Sequence, residues 1–238
     1  MGKMFPFITG TWSPVAGECP YDCYRNPITG KPGCWAKKLV DRYHYVKYQG
    51  PPRLEEKELR KIPKEGFVFV ESMGEISTLN MSDAAKLIGE IEGASTAADF
   101  LFLTKNPEWY RRVIEASGDF PFDFYLGATI ETNRPITRSK APPPSERLAA
   151  MKWVKENTEN ETFISVEPIM EFDPEPFLAA ILEAKPWAVA VGYDNYHNRL
   201  PEPTLEKTLT FIKALHDAGI TVYRKTLREA WHITEGIR

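Results

Sequence analysis

Short apolar runs recur along the chain, and segments with helical periodicity separate them. Seven runs show the pattern, at residues 5–10, 66–71, 99–104, 124–130, 162–167, 187–192 and 220–223. Most are continuously apolar rather than strictly alternating, which is typical of strands buried on both faces of a parallel sheet. The pattern therefore predicts buried strands at regular intervals.

Between the runs, apolar residues recur with a period close to 3.6 and predict helices. Helix-start signals support them: Asn106 and Pro107 suit the N-cap and first helical position, and Thr204 precedes another periodic segment. Strand–helix alternation repeated this often predicts a parallel sheet with right-handed crossovers. The fold is expected to be α/β, as an open doubly wound sheet or as a full or partial barrel.

No linker divides the chain, so a single domain over residues 1–238 is expected. Residues 19–34 form a loop after the first strand, and residues 35–65 form a charged, tyrosine-rich insertion. The net charge of −3 excludes an overall basic protein that coats nucleic acid, although a local basic face remains open. No stretch approaches the roughly 20 apolar residues of a membrane span. We therefore expect no membrane association and a cytoplasmic location.

The chain contains three cysteines, Cys19, Cys23 and Cys34, all in the loop after the first strand. Clustered thiols in a reducing compartment indicate metal or redox chemistry more often than a disulfide. Three thiolates would need a fourth ligand such as His44 to complete a zinc site. They can instead hold three irons of a four-iron cluster and leave the fourth iron open. The spacing leaves cluster, zinc and unligated thiols all open.

Polar residues follow the predicted strands at their carboxyl ends, where parallel α/β folds place their chemistry. Three glutamates, Glu71, Glu131 and Glu167, directly adjoin buried runs. A buried carboxylate without a partner costs several kcal/mol of stability. Each of these glutamates is therefore expected to be paired or functional.

Several segments together resemble the radical S-adenosylmethionine superfamily, and more closely an uncharacterised family of phage-type proteins that is similar to spore photoproduct lyase. The resemblance covers nearly the full chain through Thr11-Trp12-Ser13-Pro14 with Gly17 and the cysteines, and through residues 69–74, 102–107, 126–132, 164–168, 191–192 and 223–225. It implies a partial (β/α) TIM-like barrel of about six to seven parallel strands.

The resemblance also implies an enzyme with two cofactors. Cys19, Cys23 and Cys34 would hold a 4Fe-4S cluster, and its open iron would bind S-adenosylmethionine. One electron, from a donor such as a flavodoxin or ferredoxin, would then cleave S-adenosylmethionine to a 5′-deoxyadenosyl radical. The gap of ten residues between Cys23 and Cys34 departs from the two that are usual in the superfamily.

The resemblance assigns S-adenosylmethionine contacts to residues at four strand ends. The Gly74–Glu75 pair would hold the methionine amino group, and Ser72 or Glu71 could also serve. Contacts with ribose, carboxylate and adenine fall to Thr129, Glu131, Asn133, Ser165, Glu167 and Gly192. The sequence identifies no catalytic residue and no substrate, with nucleic acid a candidate by analogy alone.

Two other classes of function remain open. The glutamates Glu71, Glu75, Glu131 and Glu167 could bind a divalent metal in a zinc-stabilised or metal-free barrel that acts as a hydrolase or nuclease. A non-catalytic nucleic-acid-binding module would use the aromatic, basic segment at residues 35–60, with Lys37, Lys38, Arg42, Lys47 and Arg53. The acidic residues that follow, Glu55, Glu56 and Glu58, also suit an ordinary solvated helix.

Overall fold

A curled sheet of seven parallel strands forms the frame of the protein. The structure, a computed structural model, describes residues 4–26, 28–118, 120–121 and 123–232. The strands in chain order are β1 Gly10–Trp12, β2 Val15–Ala16, β3 Arg53–Leu54, β4 Glu65–Val70, β5 Ala97–Thr104, β6 Phe124–Thr129, β7 Thr162–Val166, β8 Ala188–Val191 and β9 Thr221–Arg224. The sheet has the order β1-β4-β5-β6-β7-β8-β9, while β2 and β3 form a separate antiparallel pair.

The helices are α1 Trp35–Tyr43, α2 Glu56–Leu59, α3 Met81–Gly93, α4 Glu108–Ser117, α5 Pro144–Asn157, α6 Pro174–Glu183 and α7 Leu205–Asp217. Helices α3 to α7 follow β4 to β8 in turn and cover the outer face of this half-barrel. The partial barrel predicted from the sequence is confirmed. The insertion at residues 35–65 folds as α1, a short 3₁₀ turn, β3 and α2, and its β3 strand pairs with β2 beside the cysteine loop.

The predicted first strand at residues 5–10 is wrong, because the sheet begins at Gly10, which pairs with Val68 of β4. The apolar residues before it serve another purpose. Phe5 and Ile8 are buried in a second core on the inner face of the sheet, where Phe5 packs edge-on against Phe163 with ring centroids 5.0 Å apart. The N-terminal segment therefore fills the interior of the half-barrel instead of extending its edge.

The strands are buried on both faces, as their continuous apolar pattern predicts. The outer face packs against the helices in one large core that includes Phe100, Leu126 and Val189. The inner face packs against the N-terminal segment through Phe69, Leu101 and other side chains at alternate positions. Along the described residues, no helix has both the length and the apolar character of a membrane crossing.

Candidate functional site

The cysteine loop folds back on itself so that its distant ends meet. The Cys34 N–H donates a hydrogen bond to the Cys23 carbonyl at 3.1 Å. This bond closes the loop formed by the ten residues between the two cysteines. Gly33 makes this closure possible, since a Cβ at that position would overlap the Tyr24 carbonyl. The wide sequence gap is thus compatible with neighbouring thiols.

Arg138, in the loop after β6, holds the closed cysteine loop in place through hydrogen bonds from its side chain. Its guanidinium donates to the carbonyls of Tyr24 at 3.1 Å and Arg25 at 3.0 Å, and to those of Asn198 at 2.9 Å and Arg199 at 2.8 Å. It therefore ties the cysteine loop to the loop after β8. No sequence pattern points to Arg138, because its partners are backbone groups and carry no side-chain signature.

The three thiols are free and close to one another. They pack in one cluster with Tyr21 and Tyr24, and their charges interact mutually. Burial raises the pKa of both Cys19 and Cys23, and nearby Lys105 acts in the opposite direction on Cys23. Because a thiol must lose its proton to bind metal, loading of this site would release protons.

Among the described residues, no three His, Cys, Asp or Glu side chains are placed to hold one metal ion. His44 is exposed at the C-terminal end of α1 and does not complete a zinc site. A four-iron cluster binds each thiolate through a different iron, so its ligands stand farther apart than those of one zinc.

Glu131 forms the centre of a buried charge network beside the thiols. Lys105 and the Tyr24 hydroxyl donate to one carboxylate oxygen, and Arg147 donates to the other at 2.7 Å. Burial alone would raise its pKa, but Lys105 and Arg147 outweigh burial and lower the pKa to about 2. Glu131 is thus an ionised, fully paired carboxylate, and its assignment as a cofactor contact would require Tyr24 or Lys105 to move.

Glu71 is buried just beyond β4 and holds two loops. Its carboxylate accepts hydrogen bonds from the Val15 N–H at 2.6 Å and the Gly74 N–H at 3.1 Å. Burial raises its pKa to about 8, against the effect of these donors and of Lys47. A Cβ at Gly74 would lie 2.5 Å from the Glu71 carboxylate, so glycine is needed there for packing within the protein itself.

Glu75 lies beside Cys19 but is also engaged by the protein. Its charge contributes to the raised pKa of Cys19, which places the predicted Gly74–Glu75 pair next to the thiols. The carboxylate accepts hydrogen bonds from Thr104 and from the Ser77 hydroxyl at 2.9 Å, and burial raises its pKa. Both hydroxyls donate to the same carboxylate oxygen, and the other oxygen accepts from the Lys105 N–H at 3.3 Å.

Four other predicted residues meet on the inner face of the sheet. Thr129 and Ser165 are register partners on β6 and β7, and Glu167 and Gly192 follow on the same face of their strands. The Lys225 ammonium lies 3.7 Å from the Glu167 carboxylate. A Cβ at Gly192 would lie 2.6 Å from the Lys225 Cβ, so Lys225 already takes up the room beside Gly192 that was assigned to adenine.

The remaining two predicted residues lie apart from this group. Asn133 is committed to the loop before α6, where its side chain accepts from the Asp173 N–H at 2.9 Å. Ser72 is half-buried after β4, between Glu71 and Gly74. A cavity of about 400 Å³ lies between α4 and α5, bordered by Arg111, Arg147 and Trp153, and is therefore outside the barrel and away from the thiols.

The fold and site together define a parallel α/β half-barrel with a three-thiol site at the carboxyl edge of its sheet. The sequence matches no protein-family model, and a search of the curated proteins finds no match.

Proposed function

We propose that this protein is an enzyme that carries a 4Fe-4S cluster on Cys19, Cys23 and Cys34 and binds S-adenosylmethionine at its open iron. The observation that carries the proposal is the packing of three free thiols in one cluster at the carboxyl edge of a parallel half-barrel. When bound and reduced, the cluster supplies the electron that cleaves S-adenosylmethionine to methionine and a 5′-deoxyadenosyl radical.

In this proposal the residues around the thiols have distinct tasks. Lys105, whose charge acts on Cys23, offsets the negative charge of the thiolates. Glu167 is the least engaged of the four rim carboxylates, since its side chain is 21% exposed and its only ion pair among the described residues is with Lys225. We assign the polar contacts with S-adenosylmethionine to Glu167, Thr129 and Ser165, which share the inner face.

The proposal also assigns a partner and a location. A small reduced electron carrier of the flavodoxin or ferredoxin type would supply the electron, and the protein would work in the reducing cytoplasm, where thiols stay free. The divalent-metal hydrolase is disfavoured, because Glu71, Glu75 and Glu131 each accept hydrogen bonds from donors of the chain.

The test is anaerobic purification followed by iron, sulfide and zinc analysis and a visible spectrum. About four irons and four sulfides per chain are expected, with 5′-deoxyadenosine released from S-adenosylmethionine under dithionite. Cys34→Ser should lose the iron, because Cys34 supplies one of only three thiolates. A colourless protein with one zinc, or without metal after cluster reconstitution, would refute the proposal. Full iron content in Cys34→Ser would show that the long loop keeps Cys34 out of the site.

A further inference from the structure

The insertion between β2 and β4 exposes an unusual group of aromatic side chains. Tyr43 at the end of α1 is 54% exposed, Tyr45 is 42% exposed, and Val46 beside them is 76% exposed. The two tyrosine rings stack on each other, with centroids 5.7 Å apart and planes 29° from parallel. Scattered exposed apolar residues are ordinary, but a stacked pair on a surface marks a place where a flat partner can bind.

Two cations extend this pair along α1. Lys38 and Arg42 are four residues apart and so share one face of the helix. The Arg42 guanidinium lies 5.5 Å from the centroid of the Tyr43 ring, and the Lys38 ammonium lies 5.2 Å from that of Tyr196. Among the described residues, ion pairs in this region engage Arg25 and Lys37 but neither Lys38 nor Arg42, and the Lys38 ammonium donates a hydrogen bond to the Asn198 side-chain oxygen at 2.8 Å. We call Lys38, Arg42, Tyr43, Tyr45 and Tyr196 the aromatic–basic stripe.

Three of the acidic residues of the insertion form ion pairs with lysines outside the stripe. The carboxylates of Glu55, Glu56 and Glu58 lie 3.8, 2.5 and 3.0 Å from the ammonium groups of Lys57, Lys86 and Lys61, respectively. Asp41 is the one acidic residue within α1, and its charge acts on Arg25. The stripe therefore keeps a local positive character on a chain whose net charge is −3.

We propose that the aromatic–basic stripe binds single-stranded nucleic acid, with unpaired bases on the tyrosine rings and phosphates at Lys38 and Arg42. Tyrosine faces accept any base, and the cations neutralise the backbone, which is the combination that single-strand binding uses. In a duplex the base faces are already stacked and cannot reach the rings. The stripe reaches the loop after β8, where the Tyr196 ring lies 5.2 Å from the Lys38 ammonium.

This binding needs no cofactor, so its test stands apart from that of the proposed cluster. Fluorescence anisotropy of a labelled oligodeoxythymidylate of about 16 nucleotides, a length that covers one single-strand site, measures it with the full chain. Two phosphate contacts predict a slope of about −1.4 for log K against log salt. Tyr43→Ala should weaken binding about 5- to 150-fold, the equivalent of losing one stacked base.

Matched variants separate stacking from charge and from misfolding. Tyr43→Phe should keep most of the affinity because the ring remains. The double variant Lys152→Ala/Lys213→Ala removes two cations outside the stripe and should bind the oligonucleotide as the parent does. An unlabelled duplex should compete poorly. The proposal is overturned if the oligonucleotide does not bind, if Tyr43→Ala binds normally, or if the distant lysine pair is equally weakened. It is also overturned if Tyr43→Ala instead dissociates a dimer of this protein.

Discussion

Four glutamates, Glu71, Glu75, Glu131 and Glu167, follow strands at the carboxyl edge of the sheet. Their surroundings shift their pKa values in different directions. Glu131 has two cations and is ionised, whereas burial raises the pKa of Glu71, Glu75 and Glu167. The sequence predicted that a carboxylate beside a buried strand must be paired or functional. For Glu131 the partners are Lys105 and Arg147, and Arg147 comes from a helix that starts thirteen residues later, so no local pattern could reveal it.

Glu131→Gln should destabilise the protein by about 3–5 kcal/mol at neutral pH, because it leaves Lys105 and Arg147 buried without a counter-charge. Urea unfolding measures the change. Glu108→Gln, which removes an exposed carboxylate 4.0 Å from Arg111, should change stability by less than about 1 kcal/mol. Since the folded pKa of Glu131 is lowered to about 2, its contribution should be present above pH ~4.5 and be lost as the pH falls through 2. Equal effects of both variants would contradict this account.

Glu71 should show the opposite pH dependence. Its folded pKa of about 8 lies above the unfolded value, so its stabilising contribution is complete below pH ~4.5 and is lost as the pH rises through 8. The unfolding free energy of the parent minus that of Glu71→Gln should therefore fall by up to about 1.4 kcal/mol per pH unit between pH 5 and 8, because only the parent loses stability as Glu71 ionises. Denaturant unfolding across that range measures it, and a constant difference would disprove the raised pKa.

At the scale of elements, the cysteine loop depends on how the segments around it pack. Gly17, after β2, has a φ of +100°, and a Cβ there would overlap the Pro51 backbone of the insertion. The loop after β6 adds a second support, because the Tyr24 N–H donates to the Arg138 carbonyl at 2.7 Å and the Lys140 N–H donates to the Tyr21 carbonyl at 2.7 Å. Gly17 was visible in the sequence, but its contact comes from Pro51, more than thirty residues away.

Gly33→Ala should open the base of the cysteine loop, since its Cβ would overlap the Tyr24 carbonyl. We expect the Cys23 thiol to become markedly more reactive with a disulfide reagent, because that thiol is now buried. Gly89→Ala, at a position of α3 with open space around it, should leave the reactivity unchanged and stabilise the protein by about 0.5–1 kcal/mol. Unchanged Cys23 reactivity in Gly33→Ala would show that the loop closes without this glycine.

At the scale of the molecule, the sheet does not close on itself, and the chain fills its interior. β1 and β9 are the two edges of the sheet. The segment before β1 lies inside, where Phe5 and Phe7 stack with centroids 5.6 Å apart and the Lys225 ammonium after β9 donates to the Met4 carbonyl. The N-terminal segment thus fills the interior of the open half-barrel. It lies nearer the amino ends of the strands than the residues that line the proposed cofactor site.

Phe5→Ala should cost about 3–5 kcal/mol in unfolding free energy, as for a fully buried aromatic. Ile28→Ala, at a side chain that is 73% exposed, should have an effect within about 0.5 kcal/mol of zero. Thermal or denaturant unfolding of both variants compares them. A mild effect of Phe5→Ala would mean that the N-terminal segment contributes little to the core.

The sequence by itself determined the class of fold, the positions of six of the seven sheet strands and the clustering of the three cysteines. These features follow from local periodicity and composition, because each strand carries its own apolar run and the thiols lie within one loop. Only the tertiary structure decided that residues 5–8 fill the barrel, that Glu131 is committed to Lys105 and Arg147, and that Cys34 returns to Cys23 across ten residues. Each of these depends on contacts between segments far apart in the chain, which no pattern along the sequence encodes.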